Sequence, residues 1–245
     1  MRGFVAIVRR ELLAYFYSPL AYIIMTTFLF VFGFLFDRTV TILSNPRYPP
    51  ADIFPLLLNN PFTWIILFLY CSTLTMRLIA EDRRSGAVET LMTSPVTEWG
   101  VVIGKFLGAL LFYAVLWAPT LVYVWVIAMF ARVDFGPIAS GYLGIMLIGA
   151  FFLSIGIFAS SLTKNQVVAA IIGFSILLVV FLFGILGAFA TDPVWKNIWS
   201  YLTLWDHMED FGKGIVDTRR LAYYVSGTVF FLYLTGLSLE VRKWR

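Results

Sequence analysis

The sequence predicts an all-α integral membrane protein that crosses the bilayer six times. Three observations carry this. Of 245 residues, 60% are hydrophobic and only 13% charged, against about 25% charged in an ordinary soluble domain. The mean hydropathy is +0.87. Six stretches carry no Asp, Glu, Lys or Arg: 12–36, 53–76, 106–131, 135–163, 165–191 and 221–239. About 20 apolar residues span the hydrocarbon core as a helix, so each run suits one crossing and none suits two. This composition excludes a soluble enzyme, a disulfide-stapled secreted domain and a nucleic-acid-binding module. The pI of 9.2 fits basic loops at a membrane. Alternating segments of about ten residues, the mark of a membrane β-barrel, are absent.

The expected spans are 20–36, 62–79, 105–130, 138–162, 167–190 and 222–240, within one domain covering 1–245. Ser18-Pro19 and Asn60-Pro61 open the first two. A capping side chain precedes a proline whose missing N–H would be unpaired in a first turn anyway. Pro119 falls inside the third span and predicts a kink. Gly104-x-x-x-Gly108 offers a close helix approach there.

Before the first span, Phe4, Val5, Val8, Leu12, Tyr15 and Phe16 recur at helical spacing, with Arg2, Arg9, Arg10 and Glu11 as the polar side. That pattern predicts an amphipathic helix on the cytoplasmic membrane surface over residues 3–17. The first span reads as a retained anchor, because its apolar run is too long for a signal peptide. With the N-terminus inside, eleven Lys and Arg fall on the cytoplasmic side and seven outside. The positive-inside rule then places both termini in the cytoplasm.

Residues 37–60 hold Pro46, Pro49, Pro50 and Pro55 and read as an extended, irregular loop. Residues 191–221 form the largest outer segment. Trp195, Trp199 and Trp205 there suit a membrane interface, and a short helix is expected from Pro193 to Thr203. A second short helix should follow, with Met208, Phe211 and Ile215 on one face. Trp195, Trp199, Trp205, His207 and Phe211 are candidates for an outer gate or for a surface that meets an extracytoplasmic accessory protein. The alternative is a solvated cap. A lone His207 beside carboxylates gives little selectivity for a transition metal, so no metal site is expected.

The spans are read as free of buried ionisable groups, which argues against a proton-driven carrier. Cys71 is the only cysteine. No G-x-x-x-x-G-K-[ST], H-E-x-x-H or G-x-S-x-G occurs, so catalytic residues are not assigned and any ATP would be held elsewhere.

Residues 77–105 form a polar block between the second and third spans, with Glu81, Asp82, Glu89 and Glu98 against Arg77, Arg83, Arg84 and Lys105. Ser85-Gly86 reads as a break, Ala87 to Thr93 as a short helix with Val88, Leu91 and Met92 on one face, and Ser94-Pro95 as its stop. Two readings stand: an ordinary juxtamembrane loop, or a docking helix that takes force from a soluble partner.

The run Glu81-Asp82-Arg83-Arg84-Ser85-Gly86-Ala87-Val88-Glu89-Thr90-Leu91, followed by Ser94-Pro95 and Gly104-Lys105, resembles the ABC-2 type permease family. Ala87 stands where the family often has Thr. Arg10-Glu11-Leu12 and the Ser-Pro before the first span extend the likeness along the chain. Tyr17-Ser18-Pro19-x-Ala21-Tyr22 and Asp206-His207-x-x-x-Phe211-x-x-Gly214-x-x-Asp217 look closest to the gliding-motility-type permeases.

The resemblance implies a coupling helix over 86–94, with Glu81, Gly86, Glu89, Leu91, Met92 and Pro95 as coupling residues. It implies nucleotide-binding ATPase subunits that hold ATP and magnesium, and a second permease copy or a related permease. It also implies residence in the bacterial inner membrane, lipid contact and no nucleic acid. An ATP-independent carrier or an assembly scaffold is the competing function. An intramembrane enzyme lacks an activated nucleophile in the spans.

Overall fold

The structure, a computed structural model, describes residues 2–44, 53–58, 60–86, 98–130, 134–189, 199 and 201–243. Among the described residues it is entirely helical. α1 covers Arg2–Phe16, α2 Pro19–Leu43, α3 Ile53–Leu58, α4 Pro61–Thr75 and α5 Ala80–Arg84. α6 covers Glu98–Trp117 and α7 Leu121–Phe130, joined by a 3-10 turn at Ala118–Thr120. α8 is Phe135–Leu162, α9 Gln166–Phe189, α10 Leu204–Gly212 and α11 Thr218–Lys243. Six segments are long and apolar enough to cross a membrane: Pro19–Leu43, Pro61–Arg84, Trp99–Met129, Phe135–Leu162, Gln166–Gly184 and Thr218–Glu240.

The helix starts follow from local chemistry. Asn60 Oδ1 accepts the Phe62 N–H at 3.0 Å with Pro61 behind it. Asp134, Asn165 and Asp217 accept the N–H two residues ahead at 3.0, 2.9 and 2.9 Å. Each bond satisfies a donor that a helix start leaves unpaired. Ser18 differs: it occupies the cap position before Pro19 without a capping bond, and its hydroxyl accepts from Arg77 Nη1 at 2.9 Å. Pro119 breaks the third span into the 3-10 turn, as its missing N–H requires.

Three boundaries move. α2 runs past Asp37 and Arg38 to Leu43, and those two residues are exposed. The third span begins at α6, near residue 98, which places Lys105 inside a helix rather than at its start. The 37–60 segment contains the helical turn α3, whose Leu57 carbonyl accepts the Thr63 hydroxyl at 2.8 Å. In each case a charge or a proline reads in the sequence as the end of a helix, whereas it marks only a change of surroundings.

α8 is the hub. Of its most apolar window 72% is buried, against 22% for the fifth and sixth spans. It packs against α4, α6, α9, α10 and α11. Phe68, Trp64 and Phe152 form an aromatic cluster with Phe181 of α9, with ring centroids 5.3–6.4 Å apart. On the other side Trp117 meets Phe28 and Phe32 of α2 edge-on at 5.1 and 4.8 Å.

α4 ends at Thr75, and residues 76–79 turn before α5 begins. Ser160 of α8 fills that break. Its Oγ accepts the Ile79 and Ala80 N–H groups at 3.1 and 3.0 Å and donates to the Met76 carbonyl at 3.0 Å. Arg83 donates to the Ser161 carbonyl. The backbone groups released by the break are thus paired inside the protein, as irregular backbone near a membrane must be.

Candidate coupling site

At the end of the bundle where α11 meets Trp99 and Ser161, α1, the α4–α5 break and α6 converge. α1 runs parallel to the first turns of α6. Ile7 lies against Gly104, Glu11 against Gly108, and Tyr15 stacks on Phe112 with centroids 4.7 Å apart. A Cβ at Gly104 would come 2.7 Å from Ile7, and one at Gly108 2.8 Å from Glu11. The two glycines therefore form the groove in which α1 sits.

The buried stripe of α1 is Ile7, Glu11 and Tyr15, while Val5 is exposed. This corrects the expected amphipathic face, which put Glu11 on the polar side. The inward turn of Glu11 has a cause on the facing helix. Lys105 is 3% exposed, and its Nζ lies 3.0 Å from Glu11 Oε1 and 2.7 Å from Asp82 Oδ2. Arg10 adds a second cation at 2.8 Å from Glu11. Burial raises the Glu11 carboxyl, but Lys105 and Arg10 outweigh it and hold its pKa below the ordinary value. The expectation that the spans carry no buried ionisable group fails here, because a lysine between two glycines was read as the loop's last residue.

Arg77 completes the junction. It bonds Ser18 Oγ and the Ala14 carbonyl, the latter at 3.3 Å, and covers the Tyr15 ring at 4.9 Å. Tyr15 donates its hydroxyl to the Leu74 carbonyl at 2.7 Å. A cleft of about 400 Å³ opens here, lined by Arg10, Glu11, Ser18, Arg77, Glu81 and Lys105 among others.

Of the coupling residues read from sequence, Glu81 is exposed on α5 and borders this cleft. Gly86 follows the end of α5 with φ +73°, a conformation that favours glycine. Glu89, Leu91, Met92 and Pro95, and with them the 86–94 coupling helix beyond Gly86, lie outside the described residues. The structure adds Glu11, Arg77, Asp82, Lys105 and Ser160. Arg77, Asp82 and Lys105 belong to the polar block of 77–105 and Glu11 to the Arg10-Glu11-Leu12 run, but their meeting and the part played by Ser160 have no local sequence signal.

At the opposite end, α10 buries Leu204, His207, Met208 and Phe211 against the bundle. Ser140 of α8 donates to the Phe211 carbonyl at 2.6 Å. His207 and Phe211 are 2% and 0% exposed, so they offer no surface to a partner. Ile215 lies beyond the helix, exposed, next to Gly214 at φ +85°. Trp199 stacks on Phe183 at 5.9 Å and Trp205 is half-buried. Trp195 and most of the expected 193–203 helix lie outside the described residues.

His207 Nδ1 meets the Tyr224 hydroxyl at 3.0 Å. Burial, with Arg220 nearby, lowers its pKa from 6.5 to about 4. Its neutral form is the one that fits, so its contribution to stability is complete above pH 6.5 and is lost as pH falls toward 4. The expected loss across that window is on the order of 3 kcal/mol. Thermal unfolding in detergent from pH 7 to pH 4 checks this, with His207→Gln expected to flatten the dependence.

A family model described as ABC-2 family transporter protein matches residues 14–236. Over 138 residues, 56% of this chain, the sequence is 27% identical to the "Probable multidrug ABC transporter permease YbhR" of Escherichia coli K12. The counterpart in Escherichia coli O157:H7 matches equally. The matched stretch spans 37% of the length of each of these relatives. Since the family match covers most of the chain, five membrane-spanning segments whole and most of the sixth, the chain belongs to the ABC-2 family of transporter proteins.

Proposed function

We propose that this transporter permease subunit is driven by ATP hydrolysis in a separate nucleotide-binding subunit, which also holds the magnesium. The ATPase docks on residues 86–94, with Glu89, Leu91 and Met92 at the contact and Glu81, Gly86 and Pro95 setting the segment's ends. The observation that carries this is the buried junction of Lys105 with Glu11 and Asp82. It fastens the helices on both flanks of residues 87–97 to each other and to α1. A push on that segment therefore reaches the second span through Asp82, the third through Lys105 and the first through α1.

Both termini then face the cytoplasm of a bacterial inner membrane, with α1 at the membrane surface. Two permease copies, or this chain and a related permease, enclose the path between them. ATP binding and hydrolysis rock the pair between inward- and outward-facing states. The direction is export, in line with the multidrug permeases to which the chain is similar. Trp195, Trp199 and Trp205 serve as an outer gate or meet an accessory protein, in which case the same motion can transmit force outside.

The test is copurification from the native host in mild detergent. Glu89→Lys or Leu91→Asp is expected to lower recovery of a P-loop ATPase with the chain at least tenfold, while thermal stability stays unchanged. Full recovery of the ATPase with both variants would remove residues 86–94 as the docking site. A chain that transports without any ATPase would favour an ATP-independent carrier, and one with neither activity an assembly scaffold.

A further inference from the structure

Behind α10, at the end of the bundle away from α1, lies a polar cleft of about 540 Å³ bordered by Tyr201, Asp206, His207, Asp217, Arg219 and Arg220 among others. Its charges are only partly matched. Asp217 is occupied as the cap of α11, and Asp210 pairs with Arg220. Among the described residues the Arg219 guanidinium forms no ion pair, and its Nη1 donates to the Tyr201 hydroxyl at 3.4 Å. Asp206 makes no ion pair or hydrogen bond among the described residues, and burial raises its pKa. Arg220 Nε is buried without an acceptor. Asp206 and Arg219 thus face one cleft with opposite charges, yet no ion pair joins them.

On the other flank of α10 a second cleft, of about 400 Å³, is lined by Pro61, Phe181, Gly184, Leu204 and Trp205 and is mainly apolar. Asp206 borders both clefts. A polar chamber with one spare anion and one spare cation, joined at its rim to an apolar one, is complementary to an amphipathic molecule with a dipolar head.

We propose that these two clefts hold a zwitterionic phospholipid. Asp206 takes the ammonium of the headgroup, Arg219 and Arg220 take the phosphate, and an acyl chain lies against Trp205 and Phe181. A phosphoethanolamine group carries one charge of each sign, so it can make a charge-assisted bond to Asp206 at one end and to Arg219 at the other. An anionic lipid such as phosphatidylglycerol would satisfy the arginines and leave Asp206 without a cation. A cationic amphipath would do the reverse.

The experiment is lipid retention. The purified chain, delipidated in detergent, is given equal amounts of phosphatidylethanolamine and phosphatidylglycerol with identical acyl chains. Retained lipid is counted by native mass spectrometry. The wild type is expected to keep phosphatidylethanolamine about tenfold over phosphatidylglycerol. Asp206→Asn should bring that ratio close to one, and Asp206→Glu should restore it, which separates lost recognition from lost folding. Arg219→Gln should lower retention of both lipids several-fold, with Arg219→Lys close to wild type. Equal retention of the two lipids by the wild type, or an unchanged ratio in Asp206→Asn, overturns the proposal. Glycerophosphoethanolamine competing as well as the full lipid also overturns it, since the apolar cleft would then contribute nothing.

Discussion

Replacing Lys105 with alanine is expected to destabilise the purified chain by about 3–5 kcal/mol and to release the N-terminal helix. The magnitude follows from leaving buried charge without its counter-ion. Glu11 would keep only Arg10, whose side chain is half exposed, and Asp82 would lose its ion pair. Two readouts separate the effects. The thermal transition should fall, and amide exchange over residues 2–16 should accelerate more than exchange over α8. A triple variant, Lys105→Met with Glu11→Met and Asp82→Asn, removes the cation together with both carboxylates that face it. It is expected to recover much of the stability, because a well-packed apolar pair of similar volume is often no worse than a buried ion pair. Wild-type exchange in α1 of Lys105→Ala would show that the glycine groove alone holds the helix.

Gly156→Val should have the second large effect. Gly156 of α8 faces the break after α4, and even a Cβ there would stand 2.0 Å from Thr75 Oγ1 and 2.9 Å from its Cβ. Thr75 is buried and bonded to the Cys71 carbonyl at 2.8 Å, so it cannot swing aside. Overpacking of this kind costs about 1–3 kcal/mol and at times more. The strain would fall where Ser160 pairs three backbone groups of residues 76–80. The expected outcome is a lowered thermal transition and sharply reduced yield of folded protein. Thr75→Ala in the same chain should restore part of both, since it removes the atom nearest to the clash. No recovery in the double variant would place the cause elsewhere in α8.

The six crossings were legible because their signal is composition over about twenty residues, which no tertiary contact alters. The kink at Pro119 was legible for a similar reason: a missing N–H acts locally. The charge junction was not. Glu11 lies in one polar stretch and Asp82 and Lys105 far apart in another, and each alone reads as a flanking charge. Their meeting depends on α1 lying parallel to α6, which is fixed by two glycines. Gly104 and Gly108 were noticed as a close-approach motif, yet nothing local says which helix approaches. The inward turn of Glu11 likewise reverses the apparent amphipathic face of α1, because a facing cation outweighs hydropathy. At the far end, Met208 and Phe211 were read correctly as one helix face. Ile215 was misplaced because Gly214 ends the periodicity that the spacing had assumed.

The junction also bears on how the protein is made. Glu11 is synthesised 94 residues ahead of the lysine it pairs with. Until the third span is made, α1 has no groove to occupy, and its carboxylate is without its lysine. The helix seats itself only once the third span has emerged, so α1 is translated well before it finds its place. A nascent chain arrested before residue 105 should therefore expose its N-terminal helix to protease, and one arrested well beyond it should not.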